Sequence, residues 1–197
     1  MEPKTILPAD TYTVVNRTIL TDYERKTIIN LYEPIIGCNA VSLYFTLWQD
    51  MERSELAEQK FNHHHLMSTL KLGLEPITNA RRVLESVGLV RSFFKSGEVN
   101  DYFYEIYSPL TPNEFFNHPI FSVILYNNIG SVEYNKLVAY YKKQENVPKD
   151  YEEITTTMDM NFKAAAASNL SPEPDIEKTE SIGSRVSEDY VDFALLM

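Results

Sequence analysis

Three consecutive histidines, His63-His64-His65, and a single cysteine, Cys38, are the residues of this 197-residue chain whose types could do chemistry. Imidazoles and thiolates ligate zinc, and a thiolate beside an imidazole is a nucleophile. The spacing argues against both. Consecutive helical residues point in three directions, whereas a zinc pair needs i and i+4 on one face, with Cys, His or carboxylate partners close by. The triplet therefore reads as the surface start of a helix. Cys38 lies inside an apolar helical pattern and reads as a small buried hydrophobe, and one cysteine forms no internal disulfide. There is no phosphate-cradling glycine loop and no nucleophile elbow. No catalytic set, cofactor or metal is expected, and the question becomes what the chain binds.

The elements that would position a binding surface are clearest between Leu66 and Val90. Leu66 to Leu74 and Ala80 to Val90 read as two helices joined by a tight turn and followed at once by strands, the pattern of a winged helix. Pro76 has the fixed φ and missing N–H tolerated at a first helical position, and Ile77, Ala80, Val83, Leu84 and Val87 share one face. Gly88 follows the last apolar position and ends the helix. Arg81, Arg82 and Glu85 lie off that stripe, where a recognition helix would present them to a groove. The bland alternative is a solvated helix face.

Leu89 to Phe94 and Tyr102 to Tyr107 read as strands joined by a glycine-containing loop, Lys95 to Asp101, which forms the wing. Neither strand alternates cleanly. Phe93, Phe94, Tyr102, Phe103, Tyr104, Ile106 and Tyr107 put bulky groups on both faces, so something should cover each face. Part of the cover comes from the domain's own helices; Phe93, Phe94, Phe103 and Tyr104 are the candidates for a self-association surface. Thr11 to Val15 reads as a further strand able to pair with the hairpin.

Around this core, Thr21 and Glu24 form a capping box that starts a helix running to about Tyr32, where Glu33-Pro34 interrupts it. The next helix carries Ile36, Ala40, Leu43, Tyr44 and Leu47 on one face and Val41, Phe45 and Trp48 on the other, which makes it central. Residues 49 to 60 read as a solvated helix end and loop. Beyond the wing, Thr111 and Glu114 repeat the capping box, His118-Pro119 starts a helix stopped by Gly130, and a last helix ends near Lys142 and Lys143. The expected class is α+β and mainly helical, a winged helix with additional N- and C-terminal helices, spanning residues 1–147.

The chain carries a formal charge of −10, and residues 148–197 hold four basic against eleven acidic side chains. The acidity is thus concentrated in the tail, and no basic footprint of the kind that drives phosphate binding is evident. Residues 148–189 lack apolar periodicity and read as a disordered acidic linker. Apolar character returns at Tyr190 to Leu196, which reads as the first turns of a truncated second domain or as a short docking helix. No apolar run approaches the roughly 20 residues that span a bilayer, and the start lacks the features of a secretory signal, so a cytoplasmic location is expected.

Leu31-Tyr32-Glu33-Pro34-Ile35-Ile36-Gly37 with Ala40-Val41-Ser42-Leu43-Tyr44 resembles the N-terminal domain of the Gram-positive DnaB/DnaD-type replication-initiation proteins. Leu84-Glu85 with Gly88-Leu89-Val90, Pro109 to Pro112 with Phe115-Phe116, and Ile129-Gly130 with Leu137 recur in the same order. The resemblance covers roughly residues 10 to 145 and is closer to the DnaB type, the replication initiation and membrane attachment proteins. It implies a non-enzymatic primosomal co-loader that helps bring the replicative helicase and its loader to DNA. Its winged helix would serve as an oligomerisation module, in a dimer or tetramer, and as a docking module. The resemblance alone also implies membrane association at the origin; no amphipathic basic helix argues for lipid contact.

The residues leave one alternative of another class, a sequence-specific transcription regulator. In that reading Arg81 and Arg82 contact bases while Arg91 and Lys95 hold phosphates at the wing. The scaffold reading expects only weak DNA contact through the same four residues.

Overall fold

The computed structural model describes residues 6–16, 18–57, 60–144 and Ile154. A four-stranded sheet is built from β1 (Thr11–Asn16), β2 (Phe61–Asn62), β3 (Val90–Lys95) and β4 (Asp101–Ile106), in the order β2-β1-β4-β3. The wing hairpin pairs β3 with β4 antiparallel, with Phe93 opposite Phe103. β1 does pair with the hairpin, and the pairing is parallel to β4, Thr11 facing Asp101 and Asn16 facing Ile106. Its other edge takes β2 antiparallel.

Six α-helices accompany the sheet among the described residues: α1 (Asp22–Thr27), α2 (Glu33–Ala57), α3 (His63–Leu70), α4 (Leu74–Ser86), α5 (Pro112–Asn117) and α6 (Pro119–Gln144). Both capping boxes are present, Thr21 with Glu24 and Thr111 with Glu114, each satisfying two otherwise orphaned N–H groups. Helices α2, α3 and α4 with the β3–β4 hairpin form the winged helix, in an α+β, mainly helical domain. The α3–α4 turn is made by Lys71 in the left-handed conformation, φ 57°. Helix α4 begins at Leu74 after Gly73, so Pro76 is its third residue, not its first. It buries Ile77, Ala80 and Leu84, and Gly88 at φ 75° closes it. A Leu or Ile fully buried there stabilises the fold by about 1.5–3 kcal/mol relative to exposure.

Pro34 does not interrupt the helix. Residues Ile28–Tyr32 adopt a wider turn in which the Glu33 N–H donates to the Ile28 carbonyl, five residues back. This local widening lets the chain pass a residue that has no N–H to give. The break falls at Gly37, whose φ of 79° and ψ of 162° are closed to other residues, and a matching break occurs at Gly130, φ 78° and ψ 163°. The break moves Cys38 to the outside: it is exposed, contrary to the buried position expected from the apolar pattern. After the break α2 is central as its composition requires, with Ala40, Val41, Leu43, Tyr44, Leu47 and Trp48 all buried. It extends through Ala57 and buries Asp50 and Met51, where a solvated end was expected.

The expected linker 148–189 and the apolar segment 190–197 lie outside the described residues, Ile154 apart.

Candidate functional site

The outer surface of α4 decides whether this helix-turn-helix can read a groove. Glu75, Asn79 and Arg82 are its exposed residues, a single cation beside an acid. Arg81 is turned inward. Its side chain is only 13% exposed, it pairs with Glu85 one turn on, and it lines an otherwise apolar cavity with Leu43, Leu47, Leu66, Ile77 and Tyr104. An arginine held this way cannot reach a base edge, so the sequence expectation for Arg81 fails on geometry. Placing Arg81 and Arg82 together on an open face overlooked that successive residues lie about 100° apart around a helix.

At the wing, Lys95 is exposed but stands directly opposite Asp101. Lys60 Nζ lies 2.9 Å from the Asp101 carboxylate and the Thr11 hydroxyl donates to it at 2.7 Å. Burial works to raise the Asp101 pKa, but these bonds outweigh it and leave the carboxyl below its usual range. Arg91 lies 5.4 Å from the centroid of the Phe93 ring, with its guanidinium 3.9 Å from Glu105. The wing thus interleaves cations with acids.

The sheet puts the aromatic groups on its two faces as the sequence suggested. Tyr12, Tyr102 and Tyr104 point into the core, and Phe94 packs at its margin against Tyr102, 5.2 Å between centroids. Tyr104, expected at an association surface, is 2% exposed and belongs to the interior, because residue 104 falls on the covered side of the strand. Phe93 and Phe103 fall on the other side. They are 44% and 38% exposed, and they meet edge to face as a cross-strand pair with centroids 6.1 Å apart. Arg91, Phe93 and Lys95 alternate along one strand and therefore share this outward face. The result is a two-ring apolar patch flanked on β3 by Arg91 and Lys95 and, directly opposite them on β4, by Glu105 and Asp101.

Beneath the inner face lies a polar set the sequence reading placed at the surface. His63 is fully buried. Its Nδ1 is 2.8 Å from the Asp10 carbonyl and its Nε2 is 2.7 Å from the Tyr104 hydroxyl. A carbonyl only accepts, so Nδ1 carries the proton and Nε2 accepts from Tyr104. Burial holds the His63 pKa below its ordinary value, against the opposing pull of the Asp10 carbonyl bond. Beside it, Tyr12 donates to Asp50 at 2.6 Å, and the same carboxylate meets His65 Nε2 at 3.0 Å. The signal available in the sequence was spacing: Phe61 and His63 are two apart, so a strand at 61–62 that buries Phe61 aims His63 the same way. These groups tie α3, β1, β4 and α2 together.

Among the described residues no group of three or more His, Cys, Asp or Glu is placed to hold a metal, and no helix is long and apolar enough to cross a membrane. His64 is exposed while His63 and His65 are committed to separate partners.

The chain is 27% identical over 191 residues to the replicative helicase loading/DNA remodeling protein DnaB of Staphylococcus aureus (strain NCTC 8325 / PS 47), covering 96% of this chain and 41% of that protein. The fold matches the crystal structure of the primosome protein DnaB, residues 1–300, from Geobacillus stearothermophilus, with a TM-score of 0.68 and 31% identity. That match covers 78% of this chain and 59% of the other. The chain therefore spans about two fifths of the first relative's length and three fifths of the second's. Residues 6–195 match the model of the DnaB N-terminal winged helix domain. With a winged helix built from α2, α3, α4 and the β3–β4 hairpin, and with that match running nearly end to end, the chain belongs to the family of DnaB N-terminal winged helix domains.

Proposed function

We propose that this chain acts in primosome assembly at the initiation or restart of DNA replication, as the self-associating scaffold of a helicase co-loader. Its work is done by contact, and it catalyses no reaction. The names of the two relatives, a helicase loading protein and a primosome protein, support the setting. The observation that carries the mechanism is the exposed Phe93–Phe103 pair on the sheet's outward face, set against an α4 surface with one free-standing cation. Large exposed aromatic groups are characteristic of protein interfaces, and a nearly cation-free recognition helix is a poor match to a phosphate backbone. Copies joined through this face would hold several helicase- and loader-contacting modules together. The affinity of each module could then be weak while the assembly binds well. The scaffold works in the cytoplasm, with any membrane attachment dependent on its partners.

Size-exclusion chromatography with light scattering on the full chain tests this. The wild type should associate, as a dimer or tetramer, and Phe93→Asp with Phe103→Asp should give monomer with unchanged helical circular dichroism. A wild-type monomer at high micromolar concentration would overturn the reading. Duplex binding that survives competitor DNA, lost with Arg82→Ala, would favour the transcription regulator instead.

A further inference from the structure

We propose that the seam where α1 meets the end of α6 binds single-stranded nucleic acid, with bases laid against exposed tyrosine rings and phosphates held by Arg25, Lys26 and Lys142. The site is separate from α4 and from the outward face of the sheet: both helices of the seam pack on the widened turn Ile28–Tyr32.

A connected run of rings crosses this surface. It passes from Tyr126 to Tyr134, Phe116 and Tyr141, and from Tyr141 it forks to Tyr23 and Tyr140, with centroids 5.0 to 6.1 Å apart at the steps. Tyr141 is the buried hub, and its hydroxyl accepts from the Asn30 side-chain amide at 3.1 Å. Tyr23, Tyr126 and Tyr140 are 42%, 46% and 44% exposed. Tyr23 and Tyr140 meet the hub at 85° and 83°, so neither is stacked flat against it and each keeps ring surface in solvent.

The charges set this seam apart. Lys60, Arg81, Arg91 and Lys136 each stand against an acid, respectively Asp101, Glu85, Glu105 and Glu133. Arg25, Lys26 and Lys142 are exposed, and among the described residues none has a carboxylate within ion-pair distance. Arg25 and Lys26 come two and three residues after Tyr23 on α1, and Lys142 follows Tyr141 on α6, so the Tyr23–Tyr141 contact gathers the three cations at one place. The acids of the two elements are mostly committed. Glu24 is bonded into its capping box with Thr21 and Glu133 to Lys136, which leaves Asp22 and, about three turns farther along, Glu33.

Exposed rings beside unpaired cations match a polyanion that carries flat faces. Every base has a π-face to stack, whatever its identity, and its phosphate answers the cations. An acidic peptide brings the charge without the faces, and a duplex keeps its faces inside the stack. Three phosphate contacts on a single strand give a log–log salt slope of about −2.

The test titrates the full chain into a fluorescein-labelled oligothymidylate of about 12 nucleotides at about 50 mM NaCl and follows anisotropy. Saturable binding with a slope near −2 is expected. An abasic strand of the same length and charge should bind at least tenfold more weakly. Tyr23→Ala and Tyr140→Ala should each weaken binding at least fivefold, Lys26→Glu and Lys142→Glu should each flatten the slope by about 0.7, and Arg82→Ala should change nothing. Equal affinity for the abasic strand, or displacement by poly-glutamate at equal charge, would reduce the seam to a general polyanion surface and overturn the proposal. So would equally tight binding of the matching duplex, binding indifferent to both tyrosine variants, or no binding at millimolar protein.

Discussion

The side-chain amide of Asn128 donates to the Pro34 carbonyl at 2.9 Å, so the two long helices are tied together beside the points where each of them breaks. Gly37 and Gly130 take nearly the same φ and ψ there, and a Cβ at either would meet nothing within 4 Å. The demand for glycine is therefore one of backbone conformation and not of space. Gly37→Ala and Gly130→Ala should each cost about 1–3 kcal/mol, read as a lower urea midpoint with an unchanged slope. Gly73, at φ −69° and without a side-chain cap on α4, is the contrasting position. Gly73→Ser should be neutral or stabilise by a few tenths of a kcal/mol.

Stability should fall as the solution is acidified from pH 7.5 to 5.5. Burial depresses the pKa of His63 below 6.5 in the folded protein, so the unfolded chain binds a proton first. The stabilisation is complete above the unfolded pKa and is lost as pH drops toward the folded one, with a slope of up to about 1.4 kcal/mol per pH unit from this group. His118, also depressed by burial, acts in the same direction. His63→Gln should be less stable at pH 7.5 and show a flatter profile in urea titrations at each pH; an equally steep profile would place the dependence elsewhere.

Tyr104→Phe and Phe103→Ala should separate the two faces of one strand. Removing the Tyr104 hydroxyl leaves buried His63 Nε2 without its donor and should cost about 1–3 kcal/mol, with association unchanged. Phe103→Ala should leave the thermal midpoint within a degree or two and weaken association at least tenfold by light scattering. Leu84→Ala, under α4, should lower stability by about 2–5 kcal/mol.

Arg81→Ala and Arg82→Ala, adjacent in sequence, should behave differently. The first removes a side chain packed against the cavity beneath α4 and should destabilise the fold. The second removes an exposed cation and should leave stability within about 0.5 kcal/mol of wild type. If α4 entered a DNA groove, Arg82→Ala would lower the salt slope of duplex binding by about one unit; no such change is expected.

Much of the architecture was legible because local signals and the fold agree. The capping boxes at Thr21 and Thr111, the apolar stripe of Ile77, Ala80 and Leu84, and the doubly apolar helix around Leu43 and Trp48 all found their expected places. What misled were features set by distant contacts. The inward turn of Arg81 and the burial of His63 depend on β1 and β4 lying against α3 and α4, and no window of a dozen residues contains that information. At Pro34 the local rule was overridden by a widened turn, which moved the break to Gly37 and exposed Cys38. Of the candidate site, Phe93 and Phe103 stood among four aromatic candidates on strands that do not alternate cleanly, and separating them from Phe94 and Tyr104 needed the register of the sheet.

The parallel pairing of β1 with β4 sets Thr11 beside Asp101, ninety positions downstream. During synthesis the amino-terminal strand leaves the ribosome with no neighbour to bond. Its wait lasts until the wing emerges, some seconds at ordinary translation rates of about 5–20 residues per second. Through that interval the backbone groups of β1 along the β4 edge are available to any passing strand, including that of a nascent sister chain. Crowded polysomes would be where this domain is most exposed to misassembly, and where slowing translation after residue 106 would help least.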